Sequence, residues 1–239
     1  TNKTLTSPKI NEDVAVTSTA TELNLLDGKA ATNLALIGKQ EGTNFTSSLL
    51  VGHATTGTLN AAQKNTGVGI QSLDAITSGD NNTALGYQTA SALNTATDNT
   101  LLGSQAGKAV TTSKYNTAIG SSALLTQTTG NSTTGYNVAV GRSALQLTTG
   151  AYNIGVGSKA GDNITSGDGN VIIGSIDADS ATGDKQLIIA DGTDGSVAWI
   201  KGDSSGNLTF KRIDTGDDNP FVLTLQTGET DIAASDVLG

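Results

Sequence analysis

Apolar and polar positions in this chain return together at a fixed interval, in the frame Asn-x-small-aliphatic-Gly. The frame occurs seven times: Asn65 to Gly69, Asn82 to Gly86, Asn99 to Gly103, Asn116 to Gly120, Asn137 to Gly141, Asn153 to Gly157 and Asn170 to Gly174. Successive Asn positions lie 17, 17, 17, 21, 16 and 17 residues apart. A weaker copy, Ser48 to Gly52, precedes the first by 17 residues, and a fading one, Gln186 to Ala190, follows the last. A fixed period of this size marks a solenoid, so the fold expected is all-β: a parallel β-solenoid or β-roll with about 17 residues per coil.

Each column of the repeat carries a structural expectation. The fourth position is always branched and apolar (Val68, Leu85, Leu102, Ile119, Val140, Val156, Ile173), which suggests a strand residue pointing into a continuous core. The fifth is Gly in all seven copies (Gly69, Gly86, Gly103, Gly120, Gly141, Gly157, Gly174), which suggests a tight corner or a close backbone approach. The third is mostly small, and Leu101 and Ile172 break that rule where the stack must be wider.

Three residues after the Gly comes a second small column, Ser72, Thr89, Ala106, Ala123, Ala144 and Ala160, often followed by Ile76, Leu93, Val110 or Ile164. This reads as a second, less regular strand. Turn stretches such as Thr77 to Asn81 and Thr165 to Gly169 close the coil. The 21-residue step reflects an insertion, Thr129 to Gly135, expected to bulge outward. Coils advance by roughly 4.8 Å each, so seven or eight give a shaft of about 35 to 40 Å. One such coil buries little surface, so lateral association with identical chains is expected.

Three regions follow. Residues 1–47 hold an extended segment and a short helix between Thr19 and Gly28, with Thr19 and Glu22 as a capping box. Residues 48–174 form the shaft. Residues 175–239 form a C-terminal β cap or adaptor, read as truncated. In it Val197 and Trp199 alternate before Ser204 to Asn207, Leu208 and Phe210 alternate after, and 221–225 is one more strand.

Composition agrees with this picture. The 239 residues include 30 Gly, no Cys, no Met and 3% aromatics, so stacked small residues must carry the order. The net charge of -9 argues against nucleic acid and anionic membranes, which need clustered Lys and Arg. No apolar run approaches the roughly 20 residues that would insert in a bilayer.

The segments Asn82 to Gly86 (Asn-Thr-Ala-Leu-Gly) and Asn116 to Gly120 (Asn-Thr-Ala-Ile-Gly), each followed by an Ala-containing stretch, resemble the repeats of phage tail fibres and of the head domains of bacterial trimeric autotransporter adhesins. Both are parallel β-rolls. Thr4 to Ile10, Ala20 to Gly28 and Leu223 to Ile232 resemble segments of tail-fibre proteins from marine bacteriophages, including those infecting cyanobacteria. The resemblance implies a structural, non-enzymatic fibre protein of a phage tail, an extracellular virion component that supports host-surface attachment. It also implies a homotrimer whose partners are other tail proteins and a host-surface glycan or protein receptor. A bacterial trimeric surface adhesin is the alternative, and a glycan depolymerase spike a further one.

No residue set is nominated for catalysis, cofactor binding or metal binding. Asp80, Asp98 and Asp168 fall just before the repeat Asn, where turn carboxylates are ordinary, and His53 is the sole imidazole. Asp191 to Asp194 is an acidic turn with only a weak metal signature. The Asn column Asn65, Asn82, Asn99, Asn116, Asn137, Asn153 and Asn170 is expected to form a hydrogen-bonded amide ladder. Thr66, Thr83, Thr100 and Thr117 align as in ice-binding solenoids until Val138 ends the column. Tyr87, Tyr115, Tyr136 and Tyr152 are generic sugar-contact residues for which lateral packing is the plainer reading.

Overall fold

The computed structural model describes residues 38–39, 43–52, 56–127 and 135–210. The short helix expected at 19–28, the strand at 221–225, His53 and all of the insertion except Gly135 lie outside the described residues. The strands are β1 (Gly38–Lys39), β2 (Phe45–Thr46), β3 (Leu49–Val51), β4 (Ala62–Gln63), β5 (Thr66–Val68), β6 (Thr83–Leu85) and β7 (Thr100–Leu102). They continue as β8 (Thr117–Ile119), β9 (Val138–Val140), β10 (Ile154–Val156), β11 (Val171–Ile173), β12 (Leu187–Ala190), β13 (Ala198–Gly202) and β14 (Leu208–Phe210).

Twelve strands form one sheet in the order β1-β3-β5-β6-β7-β8-β9-β10-β11-β12-β13-β14, and β2 pairs with β4 beside it. From β3 to β12 every pairing is parallel, and each strand meets the same three positions of the next, as in Thr66↔Thr83, Gly67↔Ala84 and Val68↔Leu85. The described chain is thus an all-β parallel solenoid with the expected spacing, and both weak copies belong to it, as β3 and β12. The ends change direction. β1 lies antiparallel to β3, and β13 and β14 form an antiparallel hairpin on β12 with Ile200↔Phe210 and Gly202↔Leu208.

Two expectations are corrected. The constant aliphatic column does not enter the core: Leu85 is 49% exposed, Ile119 40%, and Val156 and Ile173 are also exposed. In a strand successive side chains alternate faces, and here it is the third position that turns inward, with Ala84, Leu101, Ala118, Ala139 and Ile172 buried. The inward residue must be small because the lumen is filled from the far side by Leu73, Leu124 and Leu145, and further by Ile76, Leu93, Val110 and Ile164. A Cβ on Gly155 would sit 2.7 Å from the Leu145 Cγ. Leu101 fits because Gly107 stands opposite, where a Cβ would come within 2.9 Å of both Leu101 methyls.

The second strand is the other correction. After each Gly corner the chain runs through consecutive turns, with i→i+3 bonds such as Ser72 N–H to Gly69 O at 3.2 Å and Ile76 N–H to Leu73 O at 3.2 Å. Left-handed residues recur on both sides of the small column, as at Gln71 (φ 58°) and Leu73 (φ 58°), and a backbone that reverses this often cannot stay extended. The turns still bond coil to coil, through Leu73 N–H to Thr89 O at 3.1 Å and Ala75 N–H to Ser91 O at 3.1 Å.

The Asn column forms the amide ladder. Asn82 donates both its backbone N–H and its side-chain Nδ2 to the Asn65 Oδ1, each at 3.0 Å, and Asn99 and Asn116 repeat this on the coil below. The same Nδ2 reaches across its own coil, as from Asn82 to Ala96 O at 2.8 Å, so each buried amide closes one turn while joining it to the next. Ser48 starts the ladder by accepting the Asn65 N–H on its Oγ at 2.8 Å, and Gln186 ends it by donating to the Asn170 Oδ1. Phe45, fully buried, plugs the lumen at the N-terminal end.

One core position is poorly matched. Gln127 occupies the column of Ile76, Leu93, Val110 and Ile164, is 2% exposed, and its Oε1 has no hydrogen-bond partner among the described residues. A Gln127→Leu variant should therefore gain about 1 kcal/mol, raising the unfolding temperature by about 2 to 4 °C in calorimetry. An unchanged or lower temperature would mean that the amide is satisfied in solution.

Candidate functional site

The outward face of the sheet carries two columns. One is the aliphatic column Val51, Val68, Leu85, Leu102, Ile119, Val140, Val156, Ile173 and Ile189, which the antiparallel register extends to Ile200 and Phe210. The other begins Leu49, Thr66, Thr83, Thr100, Thr117 and turns aliphatic at Val138, Ile154, Val171 and Leu187, ending at Gly202 and Leu208. None of these residues is charged, in a chain of net charge -9. Eleven strands, β3 to β14 in the sheet order, at about 4.8 Å per step make the strip roughly 48 Å long. At the hairpin end Leu208 and Phe210 are both exposed.

Beside this strip, at the corner just before each Asn, three tyrosines stand in register. Tyr115 and Tyr136 stack with centroids 4.6 Å apart and planes 16° apart, and Tyr136 and Tyr152 at 5.1 Å and 8°. All three backbones are left-handed (φ 61°, 48° and 60°), where other coils place Lys64, Asn81, Asp98, Gly169 or Lys185. A bulky residue in that region costs of order 1 kcal/mol or more, and a stacked pair returns about 0.5 to 1.5 kcal/mol. Two pairs return about 1 to 3 kcal/mol against about 3 kcal/mol or more for three such residues, so the ladder is at best neutral for folding.

The turn carboxylates singled out in the sequence have structural work. Asp80 accepts the Gln63 N–H at 2.7 Å, and Asp168 accepts the Ala151 N–H at 2.7 Å, each reaching to the preceding coil. Asp98 lies at a left-handed corner (φ 60°). Asp191 folds its own loop around itself, accepting from Val197, Thr193, Asp194 and Gly195 N–H. Those bonds, Val197 first, hold its carboxyl down at about 2, and Asp203 is lowered likewise by Asn207. Among the described residues no group of three or more His, Cys, Asp or Glu side chains is placed to hold a metal ion.

A site that residue-by-residue reading of the sequence missed lies where the last coils meet the loop to the hairpin. Asp162 and Asp177 hydrogen-bond to each other at a cavity of about 400 Å³ lined also by Lys159, Ser175, Ile176 and Asp194. Burial, then the hydrogen bond and charge of Asp177, raise Asp162 to about 6, against the pull of Lys159 and Arg142. The two aspartates sit at different repeat positions of consecutive coils, so no column announces them. Carboxyls in direct contact do not have the glycosidase arrangement, in which about 5 to 9.5 Å separates the pair.

The sign of the pH effect follows. Asp162 is raised above its ordinary 3.8, so its contribution to stability is fully present below pH 4 and is lost as the pH rises through about 6. Asp191, held near 2, contributes stability above pH 4 that is lost on acidification toward 2. Calorimetry across pH 3 to 8 should therefore show a maximum near pH 4 and a fall between about 4 and 6, and Asp177→Asn should flatten that fall. An identical profile in that variant would remove the pair as the cause.

Among the described residues no helix is long and apolar enough to cross a membrane. No family model, curated protein or solved structure matches the chain.

Proposed function

We propose that this chain is the shaft and adaptor of a phage tail fibre, a structural homotrimer that supports attachment to the host surface without chemistry of its own. The observation that carries this reading is the uncharged aliphatic strip along the outer face of the sheet. A solenoid whose lumen is already filled has no internal use for exposed Leu85, Ile119, Val156 and Ile173, and a long apolar strip on an otherwise acidic surface marks a contact with another macromolecule. Identical chains offer the same strip in the same coil register, so every coil finds its own level in its neighbour. The resemblance of the repeat and of both flanks to tail-fibre segments supplies the number three and the virion.

Sedimentation equilibrium of the full chain is the test. A species of three times the 24.0 kDa of one chain is expected, and Leu85→Asp with Ile119→Asp should convert it to folded monomer, since both positions are exposed in the single chain. A folded wild-type monomer would defeat the assembly, and antibodies to the shaft that fail to label the tails of virions would defeat the assignment to a phage.

A further inference from the structure

Neither the amide ladder nor the apolar strip accounts for three strained tyrosines in consecutive coils. We infer that Tyr115, Tyr136 and Tyr152 form a binding edge for an extended, neutral polysaccharide lying along the shaft, an inference that deepens the attachment reading and rests on it. The faces of these rings are spent on one another at 4.6 and 5.1 Å, so what they offer to solvent is a row of phenol hydroxyls and ring edges, 44%, 42% and 55% exposed. A row that donates and accepts at each step matches a polymer that repeats its own hydroxyls on a similar step. An extended β-linked glycan does so. A single aromatic or nucleotide ring would instead need an open face.

The size and charge of the edge narrow the ligand further. It is one ring wide and three deep, far below the about 800 Å² that each partner contributes to a standard protein interface. Its immediate neighbours Thr117, Val138 and Ile154 on the sheet side and Gly135 and Ala151 on the turn side are uncharged, Lys114 adds one cation, and carboxylates stand close by, Asp98 one coil before Tyr115 in the same column and Asp168 on the Ala151 N–H at 2.7 Å. That setting, in a chain of net charge -9, gives a polyanion little to neutralise. Beyond Tyr152 the column continues with Gly169, which adds no further ring to the stack.

Affinity electrophoresis and saturation-transfer NMR on the assembled protein, with cellohexaose, xylohexaose and mannohexaose as extended probes and maltohexaose as a curved one, test this. At least one extended probe should bind, and maltohexaose more weakly. Tyr136→Asn, which places the residue of Asn81 at the same corner, should stay folded and bind about tenfold more weakly, and Tyr136→Phe should show part of that loss. No binding by any extended probe, or wild-type binding by Tyr136→Asn, overturns the inference. So does a Tyr136→Asn protein that loses its trimer instead, since the ladder would then be a contact between copies. Labelled wild-type protein that adheres to host cells while binding no probe sinks the ladder but spares the attachment reading; binding to a probe without adherence does the reverse.

Discussion

Replacing Gly120 by Ala should lower the stability of the shaft by about 4 kcal/mol or more, read in denaturant unfolding as a fall in midpoint. Two effects add. The backbone at Gly120 has φ +135°, a region that costs a side-chain-bearing residue of order 1 to 3 kcal/mol. The new Cβ would also stand 2.5 Å from the Gly141 carbonyl oxygen and 2.6 Å from its carbon, atoms of the next coil's backbone that cannot move alone. The Gly column is therefore a line of close backbone approach between coils. Two other glycines separate the effects: Gly206 has φ +83° with nothing within 4 Å, and Gly192 also has open space. Gly206→Ala should cost only the strain, about 1 kcal/mol, and Gly192→Ala nothing measurable. Equal losses at all three would refute the close-approach account.

The second large effect is expected at Asn116. Its Oδ1 accepts both the N–H (3.1 Å) and the Nδ2 (3.3 Å) of Asn137, and its own Nδ2 donates to the Asn99 Oδ1 at 3.0 Å and the Ser113 Oγ at 3.1 Å, all buried. Asn116→Leu strands the Asn137 N–H and leaves a branched side chain among polar atoms. At about 1 to 3 kcal/mol for each orphaned group, a loss of about 3 kcal/mol is expected, or roughly 6 to 12 °C. Hydrogen exchange should show the gain in opening at Asn137 before it spreads to distant coils, because repeat stability is set by neighbours. A variant that unfolds like the wild type would mean that the ladder contributes nothing net.

Much of the fold was legible because a stacked structure repeats its environment. The period, the Asn ladder, the Gly corner, the weak first and last coils and the hairpin around Ser204 to Asn207 all follow from columns. What the columns do not encode is direction. Val68 and Leu85 recur because their environment recurs, and a column on the outer face of a sheet repeats as regularly as one in the lumen. The clue lay in the neighbour: Gly67 and Ala84 are small because Leu73 and its counterparts fill the space they face, as the exchange of Leu101 with Gly107 shows. The second strand failed for a related reason. Its small residues satisfy packing, whereas left-handed Gln71, Gln88 and Gln105 set the backbone path, and glutamine gives no sign of that preference. Of the candidate sites, the tyrosines could be aligned by position, while Asp162 and Asp177 met only through the offset between two coils.

The longest step in the repeat has a use beyond the fold. Between Asn116 and Asn137 the chain takes 21 residues where neighbouring steps take 16 or 17, yet β8 and β9 keep the register Thr117↔Val138 and the amide bond across the step is intact at 3.1 Å. The lattice measures only what returns to its columns and is indifferent to the length of chain spent between Gln127 and Gly135. That step is a ready insertion point for foreign peptides: an epitope or affinity tag spliced there should leave the register Thr117↔Val138 intact and sit at one fixed height along the solenoid.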